Sequence, residues 1–297
     1  MNFIISPLGW ILRGLAQLCG GNFAMAIFLF TVLVNLAILP LSIKSQKSTA
    51  KQAMLKPKLD MLKQKYGNDK MKYSQAMQEL YQRENVSMAG GCLPMLLRLI
   101  FMMMVYWVVV DPLQYLANVD NATIQAAIAS LQEAGEKISR PIELVPYVLN
   151  GEVSEISRDV LGHISFNFFG INLMDTPHFT FNFSEAELIW IIPLLSFAAA
   201  MLVSIVTLII QKKANPDQPN MAGMMLTMPL FSLVIAFTVP GAVGFYWACS
   251  SLVSGALQVL TQIWYSPAKL AAQQQMQFVL KRSENEAKIK AKTKTAE

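Results

Sequence analysis

Residues 90–110 read GGCLPMLLRLIFMMMVYWVVV, apolar almost from end to end, yet Arg98 stands inside the run. A helix that crosses a bilayer needs roughly 17–25 mainly apolar residues, so this stretch is long enough to span. The arginine then needs a reason, because at a span's centre it costs roughly 2.5–3.5 kcal/mol on insertion scales. Two readings are open. Arg98 faces water held inside the protein, or its long stem snorkels to nearby headgroups.

The rest of the chain asks for the same solvent. Its 297 residues are 54% hydrophobic and 14% charged, against about 25% charged in a soluble domain, and the mean hydropathy is +0.40. Span-length apolar runs recur at 23–43 and 188–210. A longer block, 222–265, exceeds one helix and breaks at Pro240-Gly241, a natural turn. We therefore expect an all-α polytopic membrane protein with five transmembrane helices at 23–43, 92–116, 188–210, 222–239 and 241–265.

Charge orients the spans. Ten Lys/Arg lie in 44–91, two in 211–221 and seven in 266–297, nineteen of the 24 in all. The segment 111–187 holds eleven Asp/Glu and three Lys/Arg. By the positive-inside rule the basic side is cytoplasmic, with the N-terminus outside and the C-terminus inside. An odd number of spans agrees. The net charge of +5 then follows from topology and calls for no DNA partner. The basic loops face anionic headgroups and could touch ribosomal RNA.

Between the spans, residues 1–22 place Ile4, Leu8, Ile11, Leu12, Leu15 and Leu18 at helical spacing beside Trp10 and Arg13. This reads as an amphipathic helix on the outer membrane surface, or as an ordinary packed helix. Residues 44–91 form a cytoplasmic helical hairpin. Leu55, Leu59, Leu62 and Tyr66 stripe one arm, Tyr73, Met77 and Leu80 the other, with a break at 67–69. Pro57 kinks the first arm or marks its start. The stripes are thin, so the hairpin is expected to open easily. It is a docking element or a solvated linker. The extracytoplasmic segment 117–187 begins with a helix of about four turns in NATIQAAIASLQEAGEK; FNFFGINL and HFTFNF carry no assignment. A short cytoplasmic loop, 211–221, and a basic cytoplasmic tail, 266–297, complete the chain. The tail is solvated or RNA-binding.

Chemistry has little to stand on. No Gly-rich phosphate loop, paired carboxylates within a span or Cys/His metal spacing occurs. Both histidines, His163 and His178, lie in the outer segment. No catalytic residue, metal or cofactor is expected. Cys19, Cys92 and Cys249 make no disulfide framework. LAQLCGG is a poor lipoprotein site, so Cys19 is expected to be plainly buried. The first span would serve as an uncleaved targeting element.

One order of motifs is distinctive. LAILPLSIKSQKS ends the first span. LKPKLDMLKQKYGND and MQELYQRENVSMAGGCLP follow in the hairpin. MMLTMPLFSLVIAFTVPGAVGFYW comes later. Over residues 20–265 this resembles the bacterial YidC-type membrane protein insertases. With no large folded domain before the first span, it looks like the compact form of Gram-positive bacteria. The resemblance implies five spans enclosing a hydrophilic groove, open to cytoplasm and lipid and closed to the outside. It implies a non-enzymatic insertase and chaperone that uses no nucleotide. Its partners would be nascent membrane proteins, the ribosome, the Sec translocon and the lipid bilayer.

One departure matters. The family pattern L-V-R-L-x-x-x-P-L has an arginine where LVNLAILPL has Asn35. In the second span, where the family has a glutamine, this chain has Arg98. At ~1.5 Å per residue, Asn35 lies about 12 Å from residue 43 and Arg98 about 9 Å from residue 92. The two depths match within a helical turn. We expect the groove cation to have moved from one wall to the other. The expected lining is Arg98, Asn35, Gln258, Gln262, Tyr246 and Trp247, with Ser250, Ser251 and Ser254 as weaker candidates. A guanidinium there would briefly hold a passing carboxylate. The methionines of FMMMV and MAGMMLTM suit unlike clients, or fill gaps between helices. The rival classes are a small anion transporter or channel, for which no internal repeat speaks, and a membrane enzyme, which lacks the residues.

Overall fold

The structure is a computed structural model. It describes residues 2–67, 69–84, 86, 93–179, 187–214 and 222–265, plus residues 269, 272, 273, 276, 279 and 280. The GGC lead-in at 90–92 (with Cys92), much of the 211–221 loop, the FNF of HFTFNF and most of the tail lie outside the described residues.

Eleven helices are named here in chain order: α1 (Asn2–Leu18), α2 (Phe23–Met54), α3 (Lys56–Tyr66), α4 (Lys70–Arg83), α5 (Leu93–Val110), α6 (Pro112–Tyr115), α7 (Asn121–Glu133), α8 (Pro141–Asn150), α9 (Ile191–Ala214), α10 (Ala222–Ala236) and α11 (Gly241–Trp264). The only sheet among the described residues is a two-residue hairpin, β1 (Asn167–Phe168) with β2 (Ile171–Asn172). The fold is all-α and polytopic. Among the described residues three helical stretches are long and apolar enough to cross a membrane: Phe23–Gln52, Leu188–Lys213 and Gly241–Trp264. Two shorter apolar helices, Leu96–Val110 and Met225–Ala236, lie where the other two spans are expected. Large apolar side chains such as Leu36, Ile100, Leu202 and Phe231 stand exposed. That surface would be a liability in water and is ordinary in lipid.

Several helix ends differ from expectation. The α2 helix runs past residue 43 to Met54, because Pro40 does not break it. The α5 helix ends at Val110, short of 116. Pro112 has no N–H and cannot continue the ladder, and the residue before a proline leaves the helical region. Asp111 accordingly sits at φ −131, and its carboxylate accepts from the Gln114 amide at 3.1 Å to start α6. The α10 helix stops at Ala236, and α11 begins directly after Pro240.

The chain divides into two compact units. The first comprises Met1–Ile38, Met95–Leu208 and Asn220–Ala256. In it, α1 buries Ile5, Leu8, Leu12 and Ala16, while Trp10, Ile11 and Leu18 stand exposed. The buried stripe is therefore turned from the expected one. The α1 helix lies so close to α6 that a β-carbon on Gly9 would stand 2.1 Å from the Tyr115 carbonyl oxygen. Arg13 is tied down, its Nη1 donating to the Leu116 carbonyl at 3.0 Å. Cys19, expected buried, is half-exposed in the turn after α1.

The segment 117–187 is a small packed body. Ile124, Ala127, Ile128 and Leu131 of α7 and Ile142, Leu144, Val145 and Val148 of α8 are buried. It also caps α11. The first amides of a helix lack intrahelical partners, and here Gly241 N donates to Asp175 O at 2.8 Å and Ala242 N to Leu173 O at 2.7 Å.

The second unit comprises Leu39–Pro94, Ile209–Pro219 and Leu257–Glu297. In it α3 packs along α4. Pro57 stands in the first turn of α3 and so marks the arm's start. Asp69 caps α4, accepting from the Lys72 amide at 3.1 Å. Lys58 and Glu84 pair across the hairpin. No residue of α4 is buried, as the thin stripe foretold.

Candidate functional site

Arg98 rides on α5, whose other residues from Leu93 to Val110 are all uncharged. The side chain is half-buried, and its Nε is fully buried without a hydrogen-bond partner. Among the described residues no carboxylate forms an ion pair with it. The neighbour that feels its charge is Tyr246 of α11. Tyr246 is only 2% exposed, and its hydroxyl is hydrogen-bonded to Ser250 one turn on. A guanidinium on α5 thus stands near a phenol and a serine hydroxyl on α11. A carboxylate brought here would meet a desolvated donor that no fixed anion has neutralised.

Asn35 of α2 is 3% exposed. Its Nδ2 donates to the Thr31 carbonyl at 2.8 Å, and the Thr31 hydroxyl to the Ile27 carbonyl at 2.7 Å. Both side chains turn back onto the preceding turn, as short polar side chains in apolar helices do. One of the two Asn35 amide protons is thereby used, while its Oδ1 remains buried and unpartnered. Asn35 therefore offers an acceptor and Arg98 a donor.

The other expected residues lie along α11. Trp247 is half-buried, one step round α11 from Tyr246. Gln258 and Gln262 belong to the second unit. Gln262 is buried with its Oε1 unpartnered, and Gln258 is half-buried. Ser254 is buried, donating to the Ser251 carbonyl at 3.5 Å.

Sequence reading missed Ser196 and Thr207 of α9. Each is 1% exposed, with an unpartnered hydroxyl. They are eleven residues apart, about three turns, and so share one face. That spacing was the available signal. Buried polar atoms without protein partners are where ordered water goes.

Residues 14–268 match the family model described as 60Kd inner membrane protein. The protein called Membrane protein insertase YidC in Pseudomonas paraeruginosa (strain DSM 24068 / PA7) is 25% identical over 272 residues, covering 91% of this chain and 35% of that protein. The protein of the same name in Stutzerimonas stutzeri (strain A1501) is 38% identical over 112 residues, 38% of this chain and 20% of that protein. The one in Aromatoleum aromaticum (strain DSM 19018 / LMG 30748 / EbN1) is 39% identical over 114 residues, again 38% and 20%. The chain thus spans between a fifth and about a third of these relatives' length. With α2 through α11 all inside the matched residues, this chain belongs to the 60Kd inner membrane protein family.

Proposed function

We propose that this protein is a membrane protein insertase and chaperone. It takes short membrane segments from the cytoplasmic side and releases them into lipid through a hydrophilic groove, alone or beside the Sec translocon. Its clients arrive from ribosomes. The N-terminus lies outside and the C-terminus in the cytoplasm, which agrees with the sorted charges. The work is binding and release, with no catalytic group. Family membership and the names of the relatives support the reading.

The observation that carries it is Arg98: a half-buried cation on an apolar helix, its Nε unpartnered, beside Tyr246 and Ser250. A structural arginine would be expected to have a fixed carboxylate. One kept open suits a transient anion, such as an acidic residue of a client's outer tail. Release is part of the task, so a single cation without a rigid fork of partners fits better than a tight site. Asn35 supplies a further polar atom, and Trp247 an amphipathic edge. Gln258 and Gln262 are further groove residues.

The test uses cells depleted of their own insertase. Protease protection of a single-span client with an acidic outer tail is measured for wild type, Arg98→Ala, and Arg98→Gln combined with Asn35→Arg. Arg98→Ala should lose insertion at normal expression, and the swap should restore it. Normal insertion by Arg98→Ala would reduce Arg98 to a snorkelling bystander. Anion flux through liposomes carrying the pure protein would favour a transporter.

A further inference from the structure

The β1–β2 hairpin turns through Phe169 and Gly170, both at positive φ, 48° and 83°. A two-residue turn of this kind favours Asn-Gly, because the left-handed region strains residues with a bulky side chain. Phenylalanine is a poor choice for the backbone. Solvent exposure does not explain it either: Phe169 is 87% exposed. A large apolar side chain held outward on a strained turn points to a contact outside the chain.

The surroundings say what that contact is. A β-carbon on Gly170 would lie 3.8 Å from the Leu188 side chain. Leu188 is itself 55% exposed and is the first residue of the apolar stretch Leu188–Lys213. Beyond it Ile191, Leu194 and Leu195 continue the exposed apolar surface of α9. The hairpin tip is therefore continuous with a lipid-facing helix surface, at the level where that surface begins. One pair back from the tip, Asn167 and Asn172 are neutral and polar, as suits the headgroup zone. Aromatic side chains with apolar bodies concentrate at this depth.

We propose that the hairpin tip, Phe169 with Leu188 beside it, is a lipid-docking site that inserts into the acyl–headgroup boundary of the outer leaflet. The contact reaches into the fold. Phe169 packs edge-on to Phe168 at 4.7 Å between ring centroids, and Phe168 meets Phe245 of α11 at 4.9 Å. Phe245 precedes Tyr246. Lipid held at the tip thus braces the first turns of the helix that carries Tyr246.

The test places a single cysteine by Phe169→Cys in a full-length chain whose own cysteines are changed by Cys19→Ser, Cys92→Ser and Cys249→Ala. It is labelled with an environment-sensitive fluorophore. Vesicles of phosphatidylethanolamine and phosphatidylglycerol carry lipid nitroxides near the top or near the end of the acyl chain. Reference labels come from Glu136→Cys, on the exposed outer segment, and Leu202→Cys, on the exposed face of α9. The label at 169 should be quenched several-fold more by the shallow nitroxide than the label at 136, and several-fold less by aqueous iodide. Iodide reaching 169 as freely as 136 overturns the proposal. So does a label that neither quencher reaches, because protein would then cover the tip. If the cysteine variant fails to fold, benzoylphenylalanine at position 169 keeps an aromatic ring there. A phospholipid adduct on illumination supports the proposal, and its absence overturns it.

Discussion

Gly255 of α11 passes so close to Val203 of α9 that a β-carbon at 255 would stand 2.3 Å from a Val203 methyl. Val203 is β-branched and stiff about χ1, so it cannot swing away. One turn-set earlier Gly244 meets Ile192 in the same manner, at 2.9 Å. Small residues let membrane helices approach closely, with van der Waals packing as the gain. Gly255→Ala should therefore destabilise the protein by about 1–3 kcal/mol, the usual range for overpacking. Thermal unfolding in detergent reads this. Val203→Ala in the same chain should recover most of the loss. If Gly255→Ala alone leaves the melting temperature unchanged, the close approach is wrong.

Arg13 was a candidate interfacial charge and is a structural tie. Its bond to the Leu116 carbonyl joins α1 to the end of α6. Hydrogen bonds to charged groups contribute about 1.5–3 kcal/mol. Arg13→Met should speed amide exchange in residues 112–119 by several-fold to a hundred-fold, leaving α3 and α4 unaffected. Mass spectrometry of exchanged peptides checks it.

The segment 117–187 should respond to acid through two carboxyls in opposite senses. Burial, then the nearby charge of Glu187, holds Asp175 above the ordinary aspartate range. Its contribution to stability is present below that range and lost as pH rises through the raised value. Burial also works against ionised Glu143, but the Ser139 and Arg140 amides and the Arg140 side chain outweigh it and hold Glu143 below the glutamate range. Its contribution is present above that range and lost as pH falls through the lowered value. At neutral pH, Asp175→Asn should raise the melting temperature. Glu143→Gln, which weakens the start of α8, should lower it, by about 1 kcal/mol of stability. Both differences should shrink toward acid pH, and a difference that grows instead contradicts the assignment.

The hairpin of α3 and α4 should exchange its amides far faster than α7 and α8. The α4 helix buries nothing, whereas α7 and α8 bury four residues each. The Lys58–Glu84 pair is exposed, and such pairs contribute about 0–1 kcal/mol. Glu84→Ala should thus change hairpin exchange less than threefold. A larger effect would mean that the pair holds the arms together.

Helices, apolar spans and the sorted charges were legible because each is written within a few neighbouring residues: a 3.6-residue period, a proline, a run of lysines. Arg98 was conspicuous for the same reason, as one charge in twenty apolar positions. Even so, α1 showed the limit. Its apolar residues go most of the way round, so periodicity alone turned the buried stripe by about a position, and only packing against α6 settled it. The α10 helix and the 23–43 part of α2 are apolar nearly all round, and no local pattern chooses which face meets protein and which meets lipid. Tyr246 lies 148 positions beyond Arg98 in the chain, and nothing near either residue announces the other. The Gly255–Val203 approach, the capping of α11 by Leu173 and Asp175, and the outward Phe169 share that character. They arise when distant segments compete for the same space, and in a bilayer, where lipid tails are as apolar as the side chains, shape and buried polar atoms decide that competition more than hydrophobicity does.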